Sequence, residues 1–487
     1  MASYPEKARQ MQEKVLRRLL RQARNTEWGR KYGFAKMNGY ADFAARVPLS
    51  TYDDIQEDIE RMRFGAKDVM WKGRVKYFAK SSGTTAGRSK FIPVTKRGLS
   101  KVHVIGGMDV TAVYTAQNPD TKIFHGDSVI LCGSFDRENS TPYSKCGDVS
   151  AIMTSSIPPV FRNMLGIRPP LSIALLSSFE EKRDALANYL IHRNVTTISG
   201  VPSWWLSVLS RMLEITGKAT LDEIWPNIEM FAHGGVGFTP YRDLYKNMIR
   251  SPKMHYIETY NASEGFFGVQ DDPSDPSMLL MVDHDIFYEF VPMSGPGRKE
   301  AKPVPLWEVE PGIKYAVVIS TSCGLWRYMI GDTVRFTRKD PYKFKISGRT
   351  HQFINAFGEE LIVENAEMGL DIACRKTGAQ IREYTAAPVY MDSHAKCRHQ
   401  WVVEFAKKPS SIEDFASELD EALRSLNSDY DAKRFKDIVL DRLEVIEARP
   451  GLFHDWMSRR GKLGGQHKVP RLANTREYIE PLIEMNK

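Results

Sequence analysis

Apolar residues near the start of the chain recur at helical spacing. Ala8, Met11, Val15, Leu19 and Ala23 share one face, and Arg17, Arg18, Arg21 and Arg24 crowd the other. The pattern predicts an amphipathic helix docked on a core by its apolar stripe, with a membrane-surface role as the alternative. Glu6 and Glu13 within it argue against a transit peptide, and no signal-peptide core follows. From about Asp127 short apolar runs alternate with helix-period stretches, the mark of layered α/β structure. Strands are expected at 127–131, 195–198, 228–232 and 256–260, with helices at 179–191 and 204–215. The strands tend to end in Gly, Ser or Thr followed by a loop, and in open α/β sheets ligands bind at such carboxyl ends. After Met278 the strands at 279–282, 286–291 and 315–320 are joined by loops rich in Pro and Gly, which predicts an antiparallel sheet or small barrel beside the first sheets. From about Gly348, strands at 383–391, 401–405 and 443–446 and a helix at 412–426 predict a separate small α+β domain. The expected fold is therefore α/β, with a large N-terminal domain of layered sheets and a small β-barrel-like part over 1–347. A small C-terminal α+β domain follows over 348–487.

A chain of 487 residues exceeds what one core usually serves, in keeping with two domains. The net charge of +8 is scattered rather than blocked, which does not favour nucleic acid but suits an enzyme handling phosphates and carboxylates. Five cysteines without a CxxC pair fit a reducing, cytoplasmic setting. No run approaches the roughly 20 apolar residues of a membrane span, so no stable membrane insertion is expected. Neither Gly-x-Ser-x-Gly nor His-Glu-x-x-His occurs, which removes support for serine-hydrolase and zincin chemistry. His394, Cys397 and His399 lie close together, yet they lack a fourth ligand and strand alternation splits them between faces, so they read as surface residues rather than a metal site.

Three clusters carry candidate chemistry. Lys80-Ser81-Ser82-Gly83-Thr84-Thr85-Ala86-Gly87-Arg88-Ser89-Lys90 follows an apparent strand at 75–78. Its glycines let the backbone approach a ligand, its hydroxyls donate, and its flanking lysines offset phosphate charge. It lacks the Gly-Lys-Ser/Thr of a Walker loop, and a plain solvent loop is the blander reading. Tyr260-Asn261-Ala262-Ser263-Glu264-Gly265 comes off a strand, with an aromatic able to stack on a base and a carboxylate able to hold Mg²⁺. An ordinary strand-end turn would look the same. In the third cluster, Gly324 to Asp332, Asp332 after a glycine suits two ribose hydroxyls, though it could equally bond its own backbone. Arg327 reads either as a ligand contact or as a structural ion-pair partner. For an acyl pocket, Val201 and Trp204 stand where a strand gives way to a helix, and Gly234 and Gly235 end the next strand. Trp204 and Trp205 could as well be core.

Together the clusters resemble the adenylate-forming superfamily, and within it the acyl acid–amido synthetases of the Gretchen Hagen type. Ser-Ser-Gly-Thr-Thr at 81–85, Ser263-Glu264-Gly265, and Trp326-Arg327-Tyr328 with Gly331-Asp332 carry the likeness. So do Ile354-Asn355-Ala356-Phe357-Gly358-Glu359-Glu360-Leu361 and Gln466-His467-Lys468-Val469-Pro470-Arg471. The resemblance covers nearly the whole chain. It implies that Ser81, Ser82, Gly83, Thr84 and Thr85 grip the phosphates of ATP, that Tyr260 and Ser263 line the nucleotide site, and that Glu264 holds Mg²⁺. Asp332 would take the ribose, Arg349 would stand beside the hinge, and Lys468 on a mobile C-terminal domain would meet the phosphate during adenylation. The substrates implied by the resemblance are a small carboxylic acid, ATP with Mg²⁺ and an amine, an amino acid in this family's manner. The rival readings are an acyl-CoA ligase, whose Pro-Lys-x-x-x-Gly-Lys ending is missing here, and a non-catalytic nucleotide-binding module.

Overall fold

The N-terminal helix spans Tyr4–Ala23, and its apolar face lies in the core: Ala8, Val15, Leu16, Leu19, Leu20 and Ala23 are buried. Met11 falls off that face and is 42% exposed. The register is set instead by a polar residue, Gln12, whose Nε2 donates to the carbonyls of Val282 (2.6 Å) and Ile286 (2.9 Å) while its Oε1 accepts from the Tyr288 amide (2.9 Å). Buried and fully bonded, Gln12 stitches the helix to the sheet without an unsatisfied atom. Arg18 turns inward to Asp285. This helix is docked, and its apolar face is not available to a membrane.

The computed structural model describes residues 4–85, 88–235, 238, 241–293, 302–349, 353–390, 397–434, 440–459 and 469–487. Two compact units are distinguished. The larger comprises Met1–Ser81, Lys90–Phe238 and Tyr245–Thr350, and the smaller Ser82–Ser89, Thr239–Leu244 and His351–Lys487.

Strands β1 (Tyr77–Thr85) and β2 (Arg88–Val94) replace the loop expected over the Ser-Gly-Thr run. Strand β1 pairs on one side with β2 and on the other, over Tyr77–Ala79 only, with Lys145–Gly147, in a four-stranded sheet of order β2-β1-β5-β4, and threonine suits a pleated ribbon. Here β4 is Phe135–Asp136 and β5 is Lys145–Gly147, after β3 at Asp127–Ile130. The next strands are β6 (Ile167–Arg168), β7 (Val195–Gly200), β8 (Met230–His233), β9 (His255–Ala262), β10 (Gly265–Val269) and β11 (Met278–Leu280). Then come β12 (Ile286–Pro292), β13 (Val304–Pro305), β14 (Lys314–Thr321), β15 (Tyr328–Lys339) and β16 (Tyr342–Arg349).

Twelve of these form one sheet in the order β13-β12-β14-β15-β16-β11-β10-β9-β8-β7-β3-β6. The pairs β6/β3, β3/β7, β7/β8 and β8/β9 are parallel, and from the β9–β10 hairpin onward every pair is antiparallel. The barrel-like part is thus not a neighbouring layer but the same sheet, curled. Phe267 on β10 and Tyr288 on β12 bring their rings to 6.3 Å although β11, β16, β15 and β14 lie between them in the sheet. Tyr260, Phe290, Phe336 and Phe344 fill the interior of the curl with them.

On the other side of this sheet Arg327 settles the choice posed for it. Its guanidinium is 6% exposed and grips Glu289 through both Nε (2.9 Å) and Nη2 (2.7 Å). Its Nη1 donates to the carbonyls of Ala44 (2.9 Å) and Val47 (2.7 Å). Arg327 is a structural clamp.

In the smaller unit, β17 (Phe353–Ile354) and β18 (Leu361–Ile362) pair, and the helix Val363–Thr377 follows. Strands β19 (Gln380–Val389) and β20 (Arg398–Lys407) run antiparallel, and β21 (Glu444–Glu447) lies parallel to β20 beyond the helix Ile412–Leu426.

Candidate functional site

Within the larger unit, the stem of the Ser-Gly-Thr run at Lys80, the 260–265 cluster and Asp332 come together. Strands β9 and β10 pair at Ala262 and Gly265, which leaves Ser263 and Glu264 as a two-residue turn. The Ser263 hydroxyl points to the carbonyl of Lys80 at 3.4 Å, which brings this turn to the stem of the Ser-Gly-Thr ribbon, next to Ser81. Lys80 itself is engaged: its Nζ lies 3.1 Å from Asp136. Burial alone would raise the Asp136 carboxyl, but the Asn139 backbone and side-chain amides, with Lys80, hold it below its ordinary value. One of the two flanking lysines expected to offset phosphate charge is therefore committed to a neighbour. Nothing in the spacing of Lys80 and Asp136 advertises that pair.

Tyr260 and Asp332 are joined directly, the phenol donating to the carboxylate. The Tyr260 ring is 7% exposed and packs on Phe267 (4.8 Å) and Phe344 (6.1 Å), so what it presents is its hydroxyl rather than an open stacking face. A bulge puts Asp332 in place. The β14/β15 register passes from Ala316–Thr333 to Val318–Met329, so Ile330, Gly331 and Asp332 swell outward opposite Val317. Gly331, at φ 90°, takes a conformation closed to other residues, and this is the sequence feature that sets Asp332 apart. Across the next ladder the backbone of Asp332 pairs with that of Arg349 on β16.

Glu264 is buried, at 7% exposure, at the tip of its hairpin. Among the described residues no group of three or more His, Cys, Asp or Glu side chains gathers to hold a metal. A single carboxylate suits Mg²⁺, which keeps waters and arrives on phosphates rather than in an all-protein cage. Ser82, Gly83, Thr84 and Thr85 are met only as backbone of β1. Their side chains and that of Arg349, and Lys468 with His394 altogether, lie outside the described residues.

The residues expected to border an acyl group collect at the carboxyl ends of β7 and β8. Val201 caps the helix Pro202–Thr216, and its Cγ2 stands 3.4 Å from where Gly235 would carry a Cβ. Trp205 is core: fully buried, it donates to the Ser199 carbonyl at 2.9 Å. Trp204 is partly buried, its ring edge-on to Phe179 at 6.1 Å. Gly234 has a packing reason that needs no ligand, since a Cβ there would stand 2.4 Å from the Thr259 carbonyl on β9. Gly234→Ala is accordingly expected to lower stability by about 1–3 kcal/mol through overpacking, read by urea unfolding. An unchanged midpoint would return Gly234 to a ligand role alone.

In the smaller unit the Asn-Ala-Phe-Gly-Glu-Glu stretch folds on Glu359. Its carboxylate is fully buried and takes the His399 Nε2 at 2.8 Å and the amides of Phe357 (2.6 Å) and Ala356 (3.2 Å). His399 is thus a buried partner rather than a surface residue. Burial would push the Glu359 carboxyl up, but the His399 hydrogen bond and charge, with the backbone amides, hold it below the usual range. A carboxyl depressed in the folded state adds stability that is complete above the unfolded value of about 4.3 and is lost as pH falls through the folded value. Glu359→Gln should flatten the acid-side decline of stability, followed by circular dichroism. An equally steep decline would show that other groups control it.

Residues 1–254 match the GH3 family N-terminal domain, 279–349 the GH3 family central domain, and 364–477 the GH3 family C-terminal domain. The chain is 24% identical to the indole-3-acetic acid-amido synthetase GH3.4 of Arabidopsis thaliana over 95% of its own length and 89% of that protein's. It is likewise 24% identical to the indole-3-acetic acid-amido synthetase GH3.8 of Oryza sativa subsp. indica, over 98% and 89%. Its fold is similar to that of AtGH3.15 acyl acid amido synthetase in complex with 2,4-DB, at a TM-score of 0.62 and 19% identity, covering 98% of this chain and 94% of that one. It is also similar to that of 2-hydroxyisobutyryl-CoA ligase in its thioesterification state, at 0.58 and 15%, covering 98% and 92%.

Proposed function

The chain belongs to the GH3 family, and from that premise we propose that it joins a carboxylic acid to ATP as an acyl-adenylate and then passes the acyl group to an amine, an amino acid being the expected acceptor. One observation carries the reading: Ser263 reaches the stem of the Ser-Gly-Thr ribbon while Tyr260, three residues earlier, holds Asp332. Residues distant in sequence are thereby drawn to one hairpin, which supports reading them as parts of a single nucleotide site.

The division of labour follows from the chemistry. Ser81, Ser82, Thr84 and Thr85, with the backbone at Gly83, bind the phosphates, and Asp332 accepts from the ribose hydroxyls while Tyr260 fixes its orientation. Glu264 is the residue to hold Mg²⁺, which when bound offsets phosphate charge. Arg349 adjoins Asp332 and the end of the 1–347 domain, and Lys468 in the 348–487 domain supplies a cation for adenylation. Val201, Trp204, Gly234 and Gly235 border the acyl group. A carboxylate oxygen attacks the α-phosphorus and pyrophosphate departs. The amine nitrogen then attacks the acyl carbon, AMP leaves, and the nitrogen's proton passes to solvent. The reading places the enzyme in the cytoplasm, where ATP and amino acids are available.

Carboxylic-acid-dependent ATP–pyrophosphate exchange with Mg²⁺, over aryl, indole and fatty acids, tests the first step. Exchange with at least one acid is expected, and mass spectrometry with amino acids against CoA then names the acceptor. Thioester without amide would establish the CoA ligase instead. Silence throughout, with ATP still bound, would favour the non-catalytic module.

A further inference from the structure

The run Leu99–Val104 winds as a π-helix between the turn Lys96–Gly98 and the helix Ile105–Gln117. Such wide turns are rare and gather at functional sites. Close packing holds both ends of this one. A Cβ on Gly98 would stand 2.2 Å from the Cys323 Sγ, and one on Gly106 would stand 2.3 Å from the Phe266 ring. Between them His103 is turned fully inward, and neither of its ring nitrogens makes a hydrogen bond. Burial pushes the imidazole down to about 4, against a smaller upward pull from the Asn261 side chain. At neutral pH the ring is therefore uncharged and carries one N–H.

Asn261 is the matching half. It lies opposite Phe266 across the β9/β10 ladder, so the two side chains share the face on which Gly106 rests. Its Oδ1 is buried and also makes no hydrogen bond. A buried carbonyl oxygen beside a buried N–H, each lacking any other partner, is satisfied by a small rotation of ring or amide. With Oδ1 committed to His103, the Nδ2 end turns away from the helix. Asn261 is only partly buried, and among the described residues nothing accepts from that nitrogen.

Three neighbours indicate what Nδ2 meets. Tyr260, one residue earlier, holds the carboxylate assigned to the ribose, and Ser263, two residues later, reaches the stem of the Ser-Gly-Thr ribbon. Thr259 shares the face of Asn261 and packs so closely on Gly234 that a Cβ there would stand 2.4 Å from its carbonyl. Asn261 thus stands among the ribose side, the phosphate side and the acyl border, where a carboxyl group must lie to reach the α-phosphorus. We propose that the Asn261 amide, held by His103, donates through Nδ2 to one oxygen of the acid substrate's carboxylate and so aims the other at the α-phosphorus. The inference rests on the proposed function. The first oxygen keeps its hydrogen bond and becomes the acyl carbonyl oxygen. The second forms the new bond to phosphorus as the bond to pyrophosphate breaks, and no proton moves. His103 touches no reacting atom and is a positioning residue.

Acid-dependent ATP–pyrophosphate exchange, with the kinetics in acid and in ATP taken separately, tests the proposal. Asn261→Ala should lower kcat/KM for the acid about 10-fold or more, the usual weight of a hydrogen bond to a charged group. The KM for ATP should stay within about twofold of the wild type. Asn261→Asp sets a carboxylate against the substrate's own and should do at least as much. His103→Leu should lower kcat/KM for the acid about 3–10-fold, and His103→Gln, which can still donate to Oδ1, should restore most of it. The losses should be equal for an unsubstituted aryl acid and its hydroxylated analogue, because the carboxylate is common to both. A loss confined to the hydroxylated acid would overturn the proposal by moving the contact to a substituent. So would a KM for ATP that rises in step with that for the acid. Urea unfolding of each variant separates loss of fold from loss of contact, and if the buried His103→Leu does not fold, the partly buried Asn261 variants still decide. No exchange by the wild type with any acid would remove the proposed function and this inference with it. Wild-type exchange left unimpaired in Asn261→Ala would remove the inference alone.

Discussion

Asp332→Ala should depress acid-dependent ATP–pyrophosphate exchange by about 100-fold or more at fixed ATP. Two hydrogen bonds from ribose hydroxyls to an ionised carboxylate contribute about 1.5–3 kcal/mol each, and each 1.4 kcal/mol is a factor of ten. The carboxylate is positioned twice over, by the bulge at Gly331 and by the hydroxyl of Tyr260. That hydroxyl donates to the Oδ2 oxygen. Tyr260→Phe should therefore act more weakly, by about 10-fold, and mainly through the KM for ATP, because it frees the carboxylate to rotate without removing it. The aromatic interior around Tyr260 survives that change, so circular dichroism should match the wild type. If Asp332→Ala exchanged pyrophosphate within about threefold of the wild type, the ribose role would be gone and Asp332 would be a bulge residue bonded to Tyr260 for structure alone.

Arg327→Met should cost about 3–5 kcal/mol of stability in the larger unit, the usual consequence of removing one partner from a buried ion pair. Among the described residues the substitution leaves the Glu289 carboxylate, 1% exposed, with the Tyr40 hydroxyl at 3.1 Å as its remaining side-chain donor. It also orphans the carbonyls of Ala44 and Val47. Replacing both members, Arg327→Met with Glu289→Leu, should recover a large part of the loss, because the uncompensated charge is then absent. Urea unfolding monitored by near-ultraviolet circular dichroism reads the difference, since Trp326 packs between Phe34, Phe43 and Trp71 next door. A single variant as stable as the wild type would mean that water reaches Glu289.

These two residues show where reading the chain succeeds and where it stops. Asp332 is legible because its signal is local: a glycine at φ 90° precedes it, and only such a residue allows the bulge. Arg327 is two-valued in sequence, since a buried clamp and a ligand contact demand the same side chain. Only the arrival of Glu289 from β12, with two carbonyls from the 44–47 segment, decides between them. The same holds for Gly234, where a close neighbour on β9 and a close ligand call for the same absent Cβ.

Periodicity alone specified the elements, because burial of one face is a local requirement repeated along each strand and helix. The helix expected at 412–426 is observed as Ile412–Leu426, and the strands expected at 195–198 and 256–260 as Val195–Gly200 and His255–Ala262. The motif order was likewise enough to point to adenylate chemistry. Periodicity could not say that the barrel-like part continues the parallel sheet, since strand pairing joins edges remote in the chain and leaves the alternation of each strand unchanged. Nor could it say that the Ser-Gly-Thr run extends as paired strands, that Lys80 is held by Asp136, or that the helix Pro159–Met164 buries its arginine and shows its apolar residues to solvent. Each of those is fixed by which distant group comes to meet the residue, and that depends on the path of the whole chain.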